Sequence, residues 1–379
     1  MANAVIVDAA RTPIGRAIKG SLKDVRADDL AATPLRALIE RNPDVDFGET
    51  EDVLMGCASQ TGEQGYNIGR NASLLAGLDH HVPACTLNRF CASSLQTLRM
   101  AYHAVGVGEG DQYIAAGVEA VSRSGRSLEH VSQNPKIDGS DGAAYNVYIP
   151  MGLTAENVAE RCNVSREAQD EWAALSQQRA VAAQESGHFD AEIVAVGEVT
   201  RDDGPRPGTT TESLARLKPV FREDGTVTAG NACPLNDGAA AVLVMSEEKA
   251  RSLGVKPRAR ILGSTVTAVR PEIMGLGPIP AIKALLEQTK ISIDDVDVVE
   301  INEAFAAQIV PCKAELGIDD EKLNPFGGAI ALGHPFGMTG ARIMTTLLND
   351  LDALDGTYGI ESMCVAGGMG MAMLVERLN

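Results

Sequence analysis

Apolar positions along this chain recur with two periods, and the order in which those periods alternate occurs twice. Between Thr33 and Gln60 the apolar residues first fall at helical spacing (Leu35, Leu38, Ile39). An acidic turn follows, then a short apolar strand, Val53-Leu54-Met55, and a polar segment ending in Gln60. Between Ile279 and Gln308 the same order returns: Ile282, Leu285 and Leu286, an acidic turn, Val298-Val299, and a polar segment ending in Gln308. Downstream the likeness continues. Asn88-Arg-Phe-Cys precedes a helix and the apolar strand Tyr113 to Val118, while Asn324-Pro-Phe-Gly-Gly precedes a glycine-rich loop, a helix from Gly340 and a strand at Met363. Two copies indicate a duplicated domain rather than a solenoid. Alternating strands and helices predict two α/β layers with largely buried sheets.

Between the copies the texture changes. Ser122 to Asp141 is rich in Ser, Gly and Asn, Thr154 to Gly187 reads as one long polar helix, and Gly204 to Thr211 is a Pro/Gly/Thr stretch. The helix start Thr154-Ala-Glu-Asn-Val carries a capping residue type and an acid in its first turn. Residues 121–235 therefore read as an insertion overhanging a core made of 1–120 with 236–257 and of 258–379. Long loops of this kind serve as lids or binding surfaces, and an oligomerisation arm is the compatible alternative.

Composition narrows the partners. The 379 residues suit two or three packed units, and 45% hydrophobic with 22% charged residues is ordinary for a globular protein. A formal net charge of -18 and a pI near 4.8 make the chain a poor partner for nucleic acid or anionic membrane. An anionic substrate requires a local basic patch against that field. The N-terminus lacks a basic start followed by an apolar stretch, and no apolar run reaches membrane-spanning length, so a cytoplasmic location is expected. Seven cysteines, an odd number with no C-x-x-C pair, argue for free thiols over a disulfide framework or structural zinc.

Five segments carry candidate chemistry. Cys91 precedes an apolar-periodic helix start, where the helix dipole and free N–H groups lower a thiol pKa and offer an oxyanion donor; a structural cysteine at a strand–helix turn is the local alternative. His334 lies in Gly327-Gly-Ala-Ile-Ala-Leu-Gly-His-Pro-Phe-Gly-Met-Thr-Gly, where it can serve as a base toward a thiol. No Gly-Lys-Ser/Thr follows, so a phosphate-cradling loop fails. Cys364, in Cys364-Val-Ala-Gly-Gly-Met-Gly, offers a second thiol as acid or base, against a buried cysteine. Asn302, in Asn302-Glu-Ala-Phe-Ala, can hold a water or donate to an oxyanion, against a helix cap. Thr228-Ala-Gly-Asn-Ala-Cys-Pro has small residues suited to close passage of an extended ligand, against a tight loop before a buried strand.

Together with Met151-Gly-Leu-Thr-Ala-Glu-Asn-Val-Ala, these segments in this order resemble the thiolase family over essentially the whole chain. The resemblance implies an α/β thiolase-like fold: two five-stranded mixed-sheet domains flanked by helices, with an inserted loop domain that binds coenzyme A. It implies Cys91 as the acylated nucleophile, Cys364 as the acid/base, and His334 as activator of Cys91. His334 and Asn302, which holds a water, line one oxyanion hole; backbone N–H groups of Cys91 and Ala366 form the other. Carried over as coenzyme A or acyl contacts are Arg206, Ser213, Ala229, Ala232, Phe305, Met274 and Met151. The implied reaction is thiolytic cleavage of a 3-ketoacyl-CoA, with coenzyme A as co-substrate and no metal or permanently bound cofactor. The implied partners are CoA thioesters and a second copy of the chain in a homodimer or homotetramer; a place as the thiolase subunit of a β-oxidation complex is an alternative that no feature of the sequence tests.

Several positions depart from the family pattern. Cys233-Pro234 stands where Ser-Gly is usual, removing a hydroxyl. Ala366 stands where Gly is usual, so a methyl restricts φ and crowds the thioester. Ala92 and Ser94 follow the nucleophile where Ser and Gly are common, and Pro150 stands where short-chain biosynthetic members often have His. These departures lean toward a degradative 3-ketoacyl-CoA thiolase over an acetoacetyl-CoA-forming one. A ketoacyl-carrier-protein synthase on the same fold is disfavoured by the Asn-Glu-Ala-Phe motif and the second thiol. A non-catalytic acyl-CoA or lipid-binding relative is disfavoured because all four catalytic residue types are present.

Overall fold

The computed structural model describes residues 2–124 and 131–378; part of the Ser122 to Asp141 loop thus lies outside the described residues. Ten strands make one hydrogen-bonded sheet: β1 (Ala4–Arg11), β2 (Gly15–Arg16), β3 (Asp52–Gly56), β4 (Ala84–Leu87), β5 (Gln112–Ala120), β6 (Asn236–Ser246), β7 (Ala259–Ala268), β8 (Val298–Ile301), β9 (Tyr358–Val365) and β10 (Met369–Arg377). Their order is β4-β3-β5-β6-β1-β7-β10-β9-β8, with β2 pairing β6. The duplication is visible in this order. Running outward from the central antiparallel β1–β7 pair, β6, β5, β3 and β4 on one side match β10, β9 and β8 on the other. The fifth position of the second half shrinks to a single bridge, Val299 to Leu323. Asn324 there turns left-handed (φ 46°) and Pro325 has no N–H to give, so the ladder cannot extend.

Helices cover both outer faces and fill the middle. They are α1 (Ala27–Arg41), α2 (Ile68–Ala76), α3 (Ser93–Val107), α4 (Val121–Ser124), α5 (Met151–Cys162), α6 (Arg166–Ser186), α7 (Thr211–Ala215), α8 (Glu247–Leu253), α9 (Pro278–Thr289), α10 (Ala306–Leu316), α11 (Ala329–Leu332) and α12 (Thr339–Ala353). Leu95, Leu98 and Val105 of α3 and Ile343, Met344 and Leu347 of α12 share one apolar cluster with residues from strands of both halves. Leu30, Leu35 and Leu38 of α1 pack on the opposite face of the first half, and Ile282, Leu285 and Ile309 of α9 and α10 on that of the second. Strand alternation does the sorting: in β9, Met363 and Val365 point to the central cluster while Cys364 points away from it.

The segment between β5 and β6 carries α4 to α7. The single polar helix expected over Thr154 to Gly187 is two helices. Asn163 turns left-handed (φ 52°) to end α5, and the Ser165 hydroxyl accepts the Ala168 N–H to begin α6. Thr154 caps nothing. Helix α5 begins three residues earlier behind Pro150, and the Thr154 hydroxyl bonds the Met151 carbonyl at 2.6 Å. No helix among the described residues is long and apolar enough to cross a membrane.

Candidate active site

Cys91 sits where β4 hands over to α3. The turn is pinned by its own polar groups: Asn88 Oδ1 accepts the Phe90 N–H at 2.6 Å, and the Ser93 hydroxyl takes the Arg89 N–H (2.9 Å) while giving its proton to the Phe90 carbonyl (2.7 Å). Phe90 is held left-handed (φ 47°), an uncommon state for a bulky residue and one that clusters at functional turns. The thiol was expected to have a lowered pKa. In the structure burial pushes Cys91 up to about 11; the N–H groups of Ala366 and of Cys91 itself oppose that rise, and the nearby Glu119 charge adds to it. Desolvation outweighs the helix terminus here, so the resting group is the neutral thiol.

Cys364 closes β9 and is fully buried, in one apolar cluster with Met274 and Phe305 and with the partly buried Met151 and Ala232. Burial raises its pKa well above that of a free thiol, and the neighbouring cysteines Cys91, Cys312 and Cys233 add to it. Beyond it, Gly367 (φ 79°) and Gly368 (φ 83°) take the left-handed positions of the turn, while Ala366 does not. The Ala366 methyl therefore meets no left-handed backbone strain.

His334 and Asn302 meet at the bottom of the site, Asn302 Nδ2 to His334 Nε2 at 3.4 Å. Asn302 is no helix cap, since α10 is capped by Phe305; its backbone is tied to the Ser362 carbonyl at 2.9 Å, two residues before Cys364. Its Oδ1 is buried without a partner, a vacancy in bonding that suits an added donor. His334 is pushed down to about 3 by burial and then by the Arg342 charge, so the imidazole is neutral. Its loop is sewn to the Cys91 turn. Gly337 N–H reaches Glu119 (2.9 Å), which also takes the N–H groups of Ala58 and Ser59, and Ala341 N–H reaches the Ser94 hydroxyl (2.9 Å). Close approach demands glycine at Gly340, where a Cβ would lie 2.2 Å from Leu95 N.

The remaining predicted residues divide. Ala232 pairs with Phe305 as a bridge, the Cys233 N–H reaches the Ala304 carbonyl (3.1 Å), and the Ala306 N–H reaches the Asn231 carbonyl (2.8 Å), so the small-residue segment is strapped onto the Asn302 loop. Phe221 stands edge-on to Phe305 with ring centres 6.2 Å apart and covers Gly152. Arg206 is exposed, its backbone held by Gln177 Oε1 at 2.8 Å, and its pKa is lowered by burial and by Arg16, which places two cations together in this acidic chain. Ala229 is exposed. The Ser213 hydroxyl is engaged in the capping box of α7 with Thr210.

Sequence reasoning missed four supporting residues: Thr339, Asn236, Glu119 and Glu303. Glu303 gathers Trp172, Ser176, Asn324 and the Ile330 N–H around one buried carboxylate and so fixes the Asn302 loop against α6 and α11. Its place inside the quoted Asn-Glu-Ala-Phe motif was the available signal.

Two family models cover nearly the whole chain: the thiolase N-terminal domain matches residues 4–248 and the thiolase C-terminal domain residues 255–377. The chain belongs to the thiolase family. It is 48% identical to the β-ketoadipyl-CoA thiolase of Acinetobacter baylyi and 48% identical to the 3-ketoacyl-CoA thiolase of Serratia proteamaculans, covering 100% of each chain in both cases. Among solved structures, the Bacillus anthracis acetyl-CoA acetyltransferase superposes with a TM-score of 0.92 at 41% identity, covering 100% of this chain and 99% of that one. Human mitochondrial 3-ketoacyl-CoA thiolase in complex with CoA gives 0.91 at 36%, covering 100% and 98%. This thiolase is accordingly an acyltransferase of the CoA-dependent class, with CoA as a substrate.

Proposed function

We propose that this thiolase cleaves 3-ketoacyl-CoA thioesters with coenzyme A through an acyl-Cys91 intermediate, in the degradative direction and within fatty-acid β-oxidation. The observation that carries the reading is the convergence of the Ala366 and Cys91 N–H groups on the Cys91 thiol, which lies close enough to Cys364 to raise its pKa. A carbonyl carbon bonded to that sulfur would present its oxygen to those two donors.

The chemistry follows from the protonation states. Neutral His334 takes the Cys91 proton as the sulfur attacks the 3-keto carbon, so charge develops only once substrate is in place. The alkoxide is held by the two backbone N–H groups. The C2–C3 bond then breaks, and its electron pair becomes an acetyl-CoA enolate held by the protonated His334 Nε2–H and by Asn302 through a water. Cys364 gives its proton to C2. Free coenzyme A finally gives its thiol proton back to Cys364 and takes the acyl group, and the departing Cys91 sulfur recovers its proton from His334. Cys364 is the more apolar of the two thiols, which suits a proton donor.

The 121–235 insertion is read as the coenzyme A platform. Arg206, beside Arg16, supplies the local basic patch that an anionic cofactor tail requires, and Ala229, Ala232 and Phe305 flank the pantetheine path. Ser213 contributes by ordering α7. Met151 and Met274 line the acyl side near Cys364. Tyr66, 97% exposed at a left-handed position, and the exposed Phe90, Leu74 and Leu75 support burial against a second copy of the chain.

The test is CoA-dependent thiolysis of a panel from acetoacetyl-CoA to long-chain 3-ketoacyl-CoAs, with 3-ketoadipyl-CoA included because two of the relatives named differ at that point. Cleavage lost in Cys91→Ala supports the reading. Activity retained by Cys91→Ala, or confined to acetoacetyl-CoA, overturns the mechanism or the degradative assignment respectively.

A further inference from the structure

His334 is gripped by a hydroxyl residue of its own glycine-rich segment, five positions further on. Thr339, fully buried in the first turn of α12, has its Oγ1 2.6 Å from His334 Nδ1 and 2.8 Å from the Pro335 carbonyl. A hydroxyl carries one hydrogen. The Pro335 carbonyl can only accept, and it already accepts the Met338 N–H at 3.1 Å. With both contacts hydrogen bonds, the Thr339 hydrogen goes to Pro335, which leaves the Thr339 oxygen as an acceptor toward the ring. Nδ1 must carry the imidazole hydrogen, and Nε2 must present a lone pair to the site.

The ring is also fixed in orientation. The His334 backbone N–H is held by Asn236 Oδ1 at 2.9 Å, and Asn236 is itself tied to the Gly15 carbonyl at 3.0 Å. Asn236 fills the space beside Gly333, whose φ of 116° no other residue adopts easily. Phe336 stands edge-on to the imidazole with centres 5.1 Å apart. Asn302 Nδ2, 3.4 Å from Nε2, is a donor that fits only an unprotonated nitrogen.

We propose that Thr339 is a positioning residue: it fixes His334 as the Nδ1–H tautomer, so that Nε2 is available as the base toward Cys91. This rests on the reading of His334 as that base. Without the hydroxyl, the buried Nδ1–H loses its acceptor, and the ring gains by moving its hydrogen to Nε2, where it can donate a hydrogen bond to Asn302 Oδ1 once that amide turns over, but cannot take a proton from Cys91. A base locked in the wrong tautomer loses on the order of 10⁴-fold in rate. A ring free to revert loses less, roughly 10- to 100-fold, on the scale of general-base catalysis.

The experiment compares Thr339→Val, of nearly the same shape, with Thr339→Ser, which keeps the hydroxyl. Steady-state thiolysis is combined with nitrogen NMR of the histidine rings, His334 being assigned by its absence in His334→Ala. Expected are a kcat loss of 10- to 100-fold in Thr339→Val with KM nearly unchanged, recovery to within a few-fold in Thr339→Ser, and an Nδ1–H signature in wild type and Thr339→Ser that moves to Nε2–H in Thr339→Val. Should Thr339→Val fail to fold, the wild-type ring spectrum still decides: an Nε2–H signature there overturns the proposal. A fully active Thr339→Val beside an inactive His334→Ala overturns the positioning role alone. An active His334→Ala removes the base itself and overturns the mechanistic reading with it.

Discussion

Glu300 and Glu361 stand directly opposite one another on the neighbouring parallel strands β8 and β9, both buried from solvent. Like charges so placed repel. Burial pushes both carboxyls well above the usual range, each is raised further by a neighbouring acid, and Arg342 of α12 pulls both back only in part. Both Glu361 oxygens and all three Arg342 side-chain nitrogens lack a hydrogen-bond partner among the described residues. Around them lie Asp350, Glu192, Asp202 and Arg11, so two buried arginines face five buried carboxyl groups. Such a cluster holds protons at neutral pH, because full ionisation would leave uncompensated charge in the core.

This cluster makes stability fall on the alkaline side. A carboxyl whose folded pKa is raised binds more protons in the folded state. Its contribution is complete below the unfolded value, about 4.3 for Glu, and is lost as pH rises through the folded value. Glu361→Gln, which cannot ionise, is therefore expected to melt close to wild type at pH 5 and about 2–6 °C above it at pH 9, equivalent to roughly 1–3 kcal/mol. Melting curves from pH 5 to 9 check this. Parallel pH profiles for the two proteins would show that Glu361 does not titrate in the core.

A resting thiol at Cys91 predicts a plain pH dependence for its chemical reactivity. With the pKa at about 11, the thiolate fraction rises about tenfold per pH unit from 6 to 9. Inactivation of the free enzyme by iodoacetamide, followed as residual thiolysis and as mass added at Cys91, is expected to climb with that slope. A plateau near pH 7 would mean that a thiolate–imidazolium pair already exists before substrate arrives.

Much of this architecture was legible in the chain because the duplication repeats the same apolar periods twice, and Val53-Leu54-Met55 or Ile282-Leu285-Leu286 each carry a clear period. The Gly-His-Pro and Asn-Glu-Ala-Phe segments were legible by their order. What escaped depends on three-dimensional context. The break at Asn163 lies inside a helical pattern with neither Gly nor Pro to mark it. The pKa of Cys91 is set by burial rather than by its neighbours in sequence. The backbone at Ala366 could not be read because the sequence does not say which residues of the Ala-Gly-Gly turn go left-handed. Glu361 reads as a strand residue like any other until its register partner proves to be Glu300.

Arg206 offers a test of the coenzyme A platform. It is exposed and lies beside Arg16 in a chain of net charge -18, so its pull on a phosphate is local and screened by salt. Arg206→Glu is expected to raise the KM for coenzyme A about five- to fiftyfold at low ionic strength, an effect of roughly 1–2 kcal/mol. The penalty should shrink in 0.5 M salt, with kcat changed little. Initial-rate kinetics at two salt concentrations decide the matter, and a KM unmoved by the charge reversal places the phosphates elsewhere.

The turn after Cys364 separates two glycines of equal φ and unequal surroundings. At Gly367 a methyl meets nothing nearer than Met369 Cε at 3.9 Å, so Gly367→Ala costs only the left-handed backbone strain, about 1–2 kcal/mol. At Gly368 the methyl would lie 2.3 Å from the Val269 carbonyl oxygen, and the Gly368 carbonyl accepts the Val269 N–H at 2.7 Å. Gly368→Ala must therefore push β10 away from the loop at Val269 and carry Ala366 with it. Its expected cost is about 3 kcal/mol or more, with thiolysis falling beyond what stability explains, because the Ala366 N–H leaves the Cys91 sulfur. Thermal melts and kcat for the two variants side by side provide the measurement. If Gly368→Ala is no worse than Gly367→Ala in both, the turn is not held against Val269, and the second oxyanion donor is not positioned by it.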